Sequence, residues 1–400
     1  MFTGIKKFFI HSFILTFTLI LTSPTYANGK YIVIAPECLI QHLGKNFKTL
    51  AYTPTLSLIK INENELDQLI KLKHQYHAAH CGGFIDVTDE WNNNISAITL
   101  LNTYSKNNYH SIRHSAYHIK YQNKVNELMK QLDMKKMLYN LTILTSFHDR
   151  FANSDNGVNT AKWIKYQVEL MAKQYNRHDV SISLIKTGKK YRQPSVVVKF
   201  GFSDAPGIVI GAHMDTLSGK KEKKPGADDD GTGIVTVLEV ARILFASNLN
   251  FKNPIYFIWY AAEEPGDVGS EHVVADFIKK KIPINAVIQI DMTGYEHKKD
   301  PTIWLLDDYV DPNLNAYLEL LANTYVKQPV KYTTCGDDCS DHAPWFLRGI
   351  PAVSPFETAV GKENPFSHTA KDTMDLLSSD HMMDFAKLTT AFAVELAEPI

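Results

Sequence analysis

Short apolar runs alternate along most of this chain with longer stretches in which apolar residues recur every three or four positions. The runs Val196–Phe200, Ile208–Gly211, Ile255–Ala261, Ala286–Asp291, Thr302–Leu306 and Ile350–Val353 have strand length and little polar alternation. Between and after them, Thr232–Ala246, Ser270–Lys281, Pro312–Val326 and His381–Leu396 carry helical periodicity. Upstream, Val125–Leu144 reads as one helix. Gly157–Gln174 reads as another, with Ile164, Val168 and Met171 on one face. Near-continuous apolar strands separated by helices predict an α/β domain with a mainly parallel, helix-covered sheet.

The first quarter has a different texture. Lys6 and Lys7 precede the apolar run Phe8–Leu21, and Thr25-Tyr26-Ala27 supplies small residues around a cleavage point. The run is shorter than the roughly 20 residues of a spanning helix, so residues 1–27 are expected to be a cleaved export signal. Tyr31–Ala35 and Leu56–Ile61 read as strands. Asn64–His74 reads as a helix with Leu66, Leu69, Ile70 and Leu72 buried. Residues 28–110 thus form a small α+β unit without catalytic residues, expected to be a removable pro-segment. The polar stretch Thr103–Arg113 is the expected processing linker, and residues 111–400 the catalytic domain.

A net charge of −1 over 400 residues gives no basic surface for nucleic acid or anionic lipid. No later stretch could span a bilayer, so no membrane association is expected once the signal is gone. The four cysteines of an exported chain suit disulfides. The economical pairing is Cys38–Cys81 and Cys335–Cys339, with a zinc-binding CxxxC pair as the alternative for the latter.

Candidate chemistry gathers at strand ends. Gly226-Ala227-Asp228-Asp229-Asp230-Gly231-Thr232-Gly233 places three carboxylates on a tight turn between strand and helix, where open α/β sheets bind ligands. His213 and Asp215 end the preceding strand, Glu263 and Glu264 end the next, and Asp291 ends the one after. His368 lies in a late loop. Brought into one crevice, so many acids are tolerable only around cations. Imidazole with carboxylate and no thiolate suits zinc or a similar divalent ion. His213 and Asp215, two apart, share a strand face, so Asp215 is placed to take the other ring N–H of His213.

Six motifs carry a resemblance. They are Gly211-Ala212-His213-Met214-Asp215, Pro225-Gly226-Ala227-Asp228-Asp229-Asp230 and Ala261-Ala262-Glu263-Glu264, followed by Gln289-Ile290-Asp291-Met292-Thr293, the segment Cys335 to His342, and Pro365-Phe366-Ser367-His368-Thr369. In this order, from about Met129 to the end, the chain resembles the M28 zinc aminopeptidases, in particular the secreted bacterial leucyl type. The resemblance implies two zinc ions per chain bridged by Asp229, one also held by His213 and Asp291, the other by Glu264 and His368. It implies Glu263 as general base, Asp215 as the residue orienting His213, and a cis peptide at Asp229–Asp230. The expected substrates are peptides with a free N-terminus, cleaved by a monomer.

The side-chain pocket departs from the leucyl pattern. Met292, Leu306, Phe356 and the Cys335–Cys339 bridge could form an apolar wall. Asp337, Glu363 and Ser367, however, stand where that pattern has Tyr, Tyr and Ile. The preference is therefore expected to be Leu-like or, if Asp337 or Glu363 pairs with a cation, Lys or Arg. Rival readings are a glutaminyl cyclase with one zinc, an M28 carboxypeptidase, or a binding module on a peptidase fold.

Overall fold

A computed structural model describes residues 31–44, 47–76, 83–91, 94–104, 117–336 and 338–400. The expected signal, most of the linker, Cys81 and Asp337 lie outside these residues.

The N-terminal unit runs β1 (Tyr31–Pro36), α1 (Glu37–Ile40), β2 (Lys48–Tyr52), β3 (Leu56–Ile61), α2 (Glu63–Tyr76), β4 (Ile85–Asp86) and α3 (Ala97–Thr103). Its antiparallel sheet has the order β2-β3-β1-β4. Alternation divides its residues between two faces. Val33, Ala35, Ile59 and Ile61 pack with Leu66, Leu69 and Leu72 of α2. Ile32, Ile34 and Leu58 join the core of the large domain instead. A reciprocal cap starts α2: Asn62 Oδ1 accepts the Glu65 N–H while Glu65 Oε2 accepts the Asn62 N–H. That cap fixes where the helix begins, and hence where Lys73 in its last turns emerges.

The large domain continues with α4 (Gln122–Met129), α5 (Met134–Ser146), α6 (Asp155–Gln174), β5 (Val180–Ile185), β6 (Ser195–Phe200), β7 (Gly207–His213), α7 (Gly233–Ala246), β8 (Ile255–Tyr260), α8 (Val268–Lys280) and β9 (Ile284–Gln289). It closes with β10 (Ile303–Leu306), α9 (Pro312–Leu321), β11 (Val330–Thr333), α10 (His342–Leu347), β12 (Ala352–Val353), β13 (Pro355–Phe356) and α11 (Ser379–Ala397). The main sheet has the order β12-β9-β7-β8-β6-β5. Its pairs are parallel from β12 to β8 and antiparallel at β6 and β5. Ile208, Ile210, Phe257 and Trp259 face α7 and α11, whereas Val209, Ile258 and Tyr260 face α8, α10 and the N-terminal unit. Strands buried on both faces explain the unbroken apolar runs.

Three details differ from the sequence reading. The long helix over 125–144 breaks in two because Asp133 caps a new start, accepting the Lys135 and Lys136 N–H groups. The strand β10 leaves the main sheet and pairs with β11 and β13 in a three-stranded one. Pro312–Val326 keeps α-helical form only to Leu321 and ends in a wider π turn over Ala322–Val326. Among the described residues no helix is long and apolar enough to cross a membrane.

Candidate metal centre

The parallel strands β7, β8 and β9 lie side by side and send their following loops to one edge of the sheet. His213 is the last residue of β7, Glu263 and Glu264 follow β8, and Asp291 follows β9. Asp229 comes from the turn before α7. Close approach requires glycine there: a Cβ on Gly233 would lie 2.1 Å from the Ile290 carbonyl oxygen and 2.3 Å from Asp230 Oδ1. His368 arrives from the loop between β13 and α11.

These side chains converge. His213 Nε2 lies 3.0 Å from Asp229 Oδ1 and 3.5 Å from Asp291 Oδ1. His368 Nε2 lies 2.7 Å from Asp229 Oδ2 and 3.3 Å from Glu264 Oε2. The two oxygens of Asp229 therefore address different imidazoles. His213, Asp229 and Asp291 offer ligand atoms all within 4.8 Å of one another, and so do Asp229, Glu264 and His368. Glu263 borders the first set, its Oε2 4.0 Å from His213 Nε2. The peptide bond Asp229–Asp230 is cis.

Asp215 takes a modified part. Its Oδ1 is 3.7 Å from His213 Nδ1, beyond hydrogen-bond reach, and accepts the Glu263 N–H at 3.0 Å. It thus ties the histidine strand to the loop bearing Glu263.

Several supports have no motif to announce them. The Arg150 guanidinium, fully buried, donates to the carbonyls of Met214, Pro225, Gly226 and Asp229. Asp372 accepts the Asp228 and Asp229 N–H groups, and Asp230 accepts those of His213, Gly233 and Met292. Ser340 Oγ donates to Asp291 Oδ2, and the Leu217 N–H to Glu264 Oε1. The Ser340 and Leu217 bonds leave the Asp291 and Glu264 carboxylates fewer rotamers, and the others fix the backbone that carries His213 and Asp229, which preorganises the set.

The electrostatics test the fit of a metal. Burial lifts the Glu264 carboxyl to about 8. Burial depresses the His368 imidazolium, but Glu264 and Asp229 overcome this and raise it to about 9. Burial likewise opposes ionisation of Asp229, yet His368 and His213 hold it well below the carboxylate range. Protons on two rings would thus supply the positive charge this hollow of acids demands. Divalent cations supply it with better geometry, and the N/O donor set without thiolate suits zinc. Both raised groups contribute stability that is present below their unfolded values, 6.5 for His368 and 4.5 for Glu264, and lost as pH climbs through about 9 and about 8. The metal-stripped protein is accordingly expected to melt at falling temperature from pH 4.5 to 9, and added zinc to remove most of that slope. A stripped-protein profile that rises over this range contradicts it.

Of the expected pocket residues, Met292, Leu306 and Phe356 are buried, Leu306 within the main core. Glu363 is half-buried and accepts the Gly361 N–H in its own turn. Asp337 lies outside the described residues. The Cys335–Cys339 disulfide is present, which removes the CxxxC zinc alternative. Cys38 is disulfide-bonded, while the expected partner Cys81 lies outside the described residues.

The profile of peptidase family M28 matches residues 195–393. Leucine aminopeptidase 1 of Coccidioides posadasii is 36% identical over 70% of this chain and 75% of its own length. The chain belongs to peptidase family M28. The crystal structure of the Legionella pneumophila LapA aminopeptidase superposes with a TM-score of 0.85 at 41% identity, over 93% of this chain and 99% of that one. LapB from the same organism gives 0.85 at 39%, over 92% and 100%. These relatives place the M28 chain among the metallo-aminopeptidases, and the similarity to LapA and LapB extends through its N-terminal unit.

Proposed function

We propose that this M28 protein is exported as a precursor and acts as a di-zinc aminopeptidase that removes the N-terminal residue of peptides. The observation that carries this reading is the pair of ligand sets meeting at Asp229 with Glu263 at their border. His213 and Asp291 would hold one ion and Glu264 and His368 the other. Two zinc ions there would supply Lewis acidity toward the scissile carbonyl, an acidified water, and a contact for the free α-amine. Glu263 takes the water's proton and returns it to the leaving amine. Asp215 fixes that base through its backbone N–H, Ser340 and Leu217 keep the Asp291 and Glu264 carboxylates aimed, and Asp372 holds the backbone of Asp229. In this reading Met292 and Phe356 form the apolar wall of a pocket for a Leu-like residue, Leu306 belonging to the main core instead, and Glu363 already spends an oxygen on its own turn. The test is a panel of Leu, Lys and Arg amides beside N-acetyl-Leu amide. Cleavage of the free amides alone is expected, and equal cleavage of the blocked one contradicts an exopeptidase.

The N-terminal unit fits a latency role. Lys73 of α2 donates a buried hydrogen bond to Glu263 Oε1 at 3.1 Å. An ammonium there competes for the lone pair that the base must offer to water. Lys73→Met in the intact chain is expected to raise kcat/KM about tenfold or more, because it frees the Glu263 oxygen that Lys73 engages. Unchanged activity in the variant contradicts latency through Lys73.

A further inference from the structure

The stretch Lys220-Lys221-Glu222-Lys223-Lys224 has the look of a solvated charge run, and its first three lysines are exposed. Lys224 differs. Its side chain is 13% exposed, and its ammonium donates at 2.6 Å to the backbone carbonyl of His368. A lysine placed to steer charge would face solvent or the acids of the hollow. This one turns to a neutral carbonyl, with Glu222 Oε1 at 2.7 Å to balance it. A bond from an ammonium to a carbonyl is charge-assisted and among the stronger kind. The carbonyl it holds belongs to a residue with φ +61°, a conformation uncommon outside glycine. That angle fixes the direction in which the imidazole of His368 leaves the chain.

The other end of the same loop reaches the other ligand of that set. The Leu217 N–H donates at 3.1 Å to Glu264 Oε1, while Glu264 Oε2 faces His368 Nε2 at 3.3 Å. Residues 217–224 therefore hold both ligands that the second set does not share with the first. The loop is itself pinned to the connection between α5 and α6. His148 Nε2 lies 2.9 Å from the Gly219 carbonyl oxygen, the Gly219 N–H donates to Asp149 Oδ2 at 3.0 Å, and the Lys224 N–H donates to the His148 carbonyl at 2.9 Å. Asp149 Oδ1 accepts the hydroxyl of Ser154, the residue that caps α6. The unshared ligands of the first set are held from elsewhere, the His213 N–H by Asp230 and Asp291 Oδ2 by Ser340. The two sets thus rest on separate supports.

We propose that the loop 217–224 governs the retention of the ion at Glu264 and His368 alone, with Lys224 as a positioning residue that acts through the His368 carbonyl. The inference rests on the two-ion reading of the centre. It adds an asymmetry to that reading, because only the second ion depends on this loop.

The test counts zinc by mass spectrometry on the full chain after dialysis against graded chelator. In Lys224→Met the chelator concentration that removes one ion per chain is expected to fall about 10–100-fold, the usual cost of losing a partner of a metal ligand. The other ion should leave as it does from the wild type. Combined variants tell which ion is affected. Added to Asp291→Ala, Lys224→Met should strip the remaining ion at a chelator level that Asp291→Ala alone withstands. Added to His368→Ala, it should change nothing. Unchanged retention in Lys224→Met, or equal weakening of both ions, overturns the proposal. Hydrogen exchange on the metal-stripped protein reads the same contact without any ion. Residues 364–373 should exchange faster in Lys224→Met, and residues 286–295 at the wild-type rate. If the wild type binds fewer than two ions, the two-ion reading falls separately, and exchange decides the role of Lys224. A rise confined to 364–373 supports it, and no rise or a general one overturns it.

Discussion

Replacement of Glu263 by glutamine is expected to lower kcat by about 10²–10⁴-fold, the usual contribution of a general acid–base group. The substitution keeps the side chain's shape and leaves the Glu263 N–H bound to Asp215 Oδ1. It touches neither of the two ligand sets. Metal content should therefore be unchanged while turnover collapses, and that separation is the informative result. Since Glu263 also pairs with buried Lys73, the same change removes half of a buried ion pair in the intact chain. Such losses cost about 3–5 kcal/mol when the remaining charge has no other partner. Lys73 retains the fields of Asp267 and Asp338, so a smaller loss of thermal stability is expected. A Glu263→Gln protein retaining more than about a tenth of wild-type kcat would remove Glu263 from the base role.

Asp229→Ala is expected to abolish binding of both metal ions at once, and with it all measurable hydrolysis. Asp229 is the one residue common to the two sets, one oxygen toward His213 and the other toward His368. Asp291→Ala or His368→Ala takes a ligand from one set only and should leave the other ion bound more firmly. Metal counting by mass spectrometry on the three purified variants checks the pattern. Retention of one ion per chain by Asp229→Ala would mean that the carboxylate does not bridge. Truncation should also destabilise the metal-free protein, because it removes an acid that both raised imidazoles share, beside Asp291 and Glu263 at His213 and Glu264 at His368.

Most of the residues that meet in the hollow were visible in the sequence because they lie at the ends of apolar runs, which parallel strands must deliver to a common edge, whereas His368 in its late loop was carried by the resemblance. His213, Glu264 and Asp291 follow from that geometry, and Asp229 from the glycines that let its turn approach β9. The supports were not legible. Arg150 acts through four backbone carbonyls, and a guanidinium that binds carbonyls leaves no pattern of neighbouring acids. Lys73 and Glu263 are 190 positions apart, and their meeting depends on how one sheet face docks on another domain. Strands β2, β5 and β11 escaped the reading since their burial is partial and their polar content high. Local pattern marks what a strand buries; it carries less about an edge.

The most direct test of a two-ion centre is an anomalous-scattering map of zinc-loaded crystals collected at the zinc absorption edge. Two peaks are predicted, both within bonding distance of Asp229, one beside His213 and Asp291 and the other beside Glu264 and His368. A single peak per chain, or two peaks of which one does not touch Asp229, would contradict the shared-carboxylate centre.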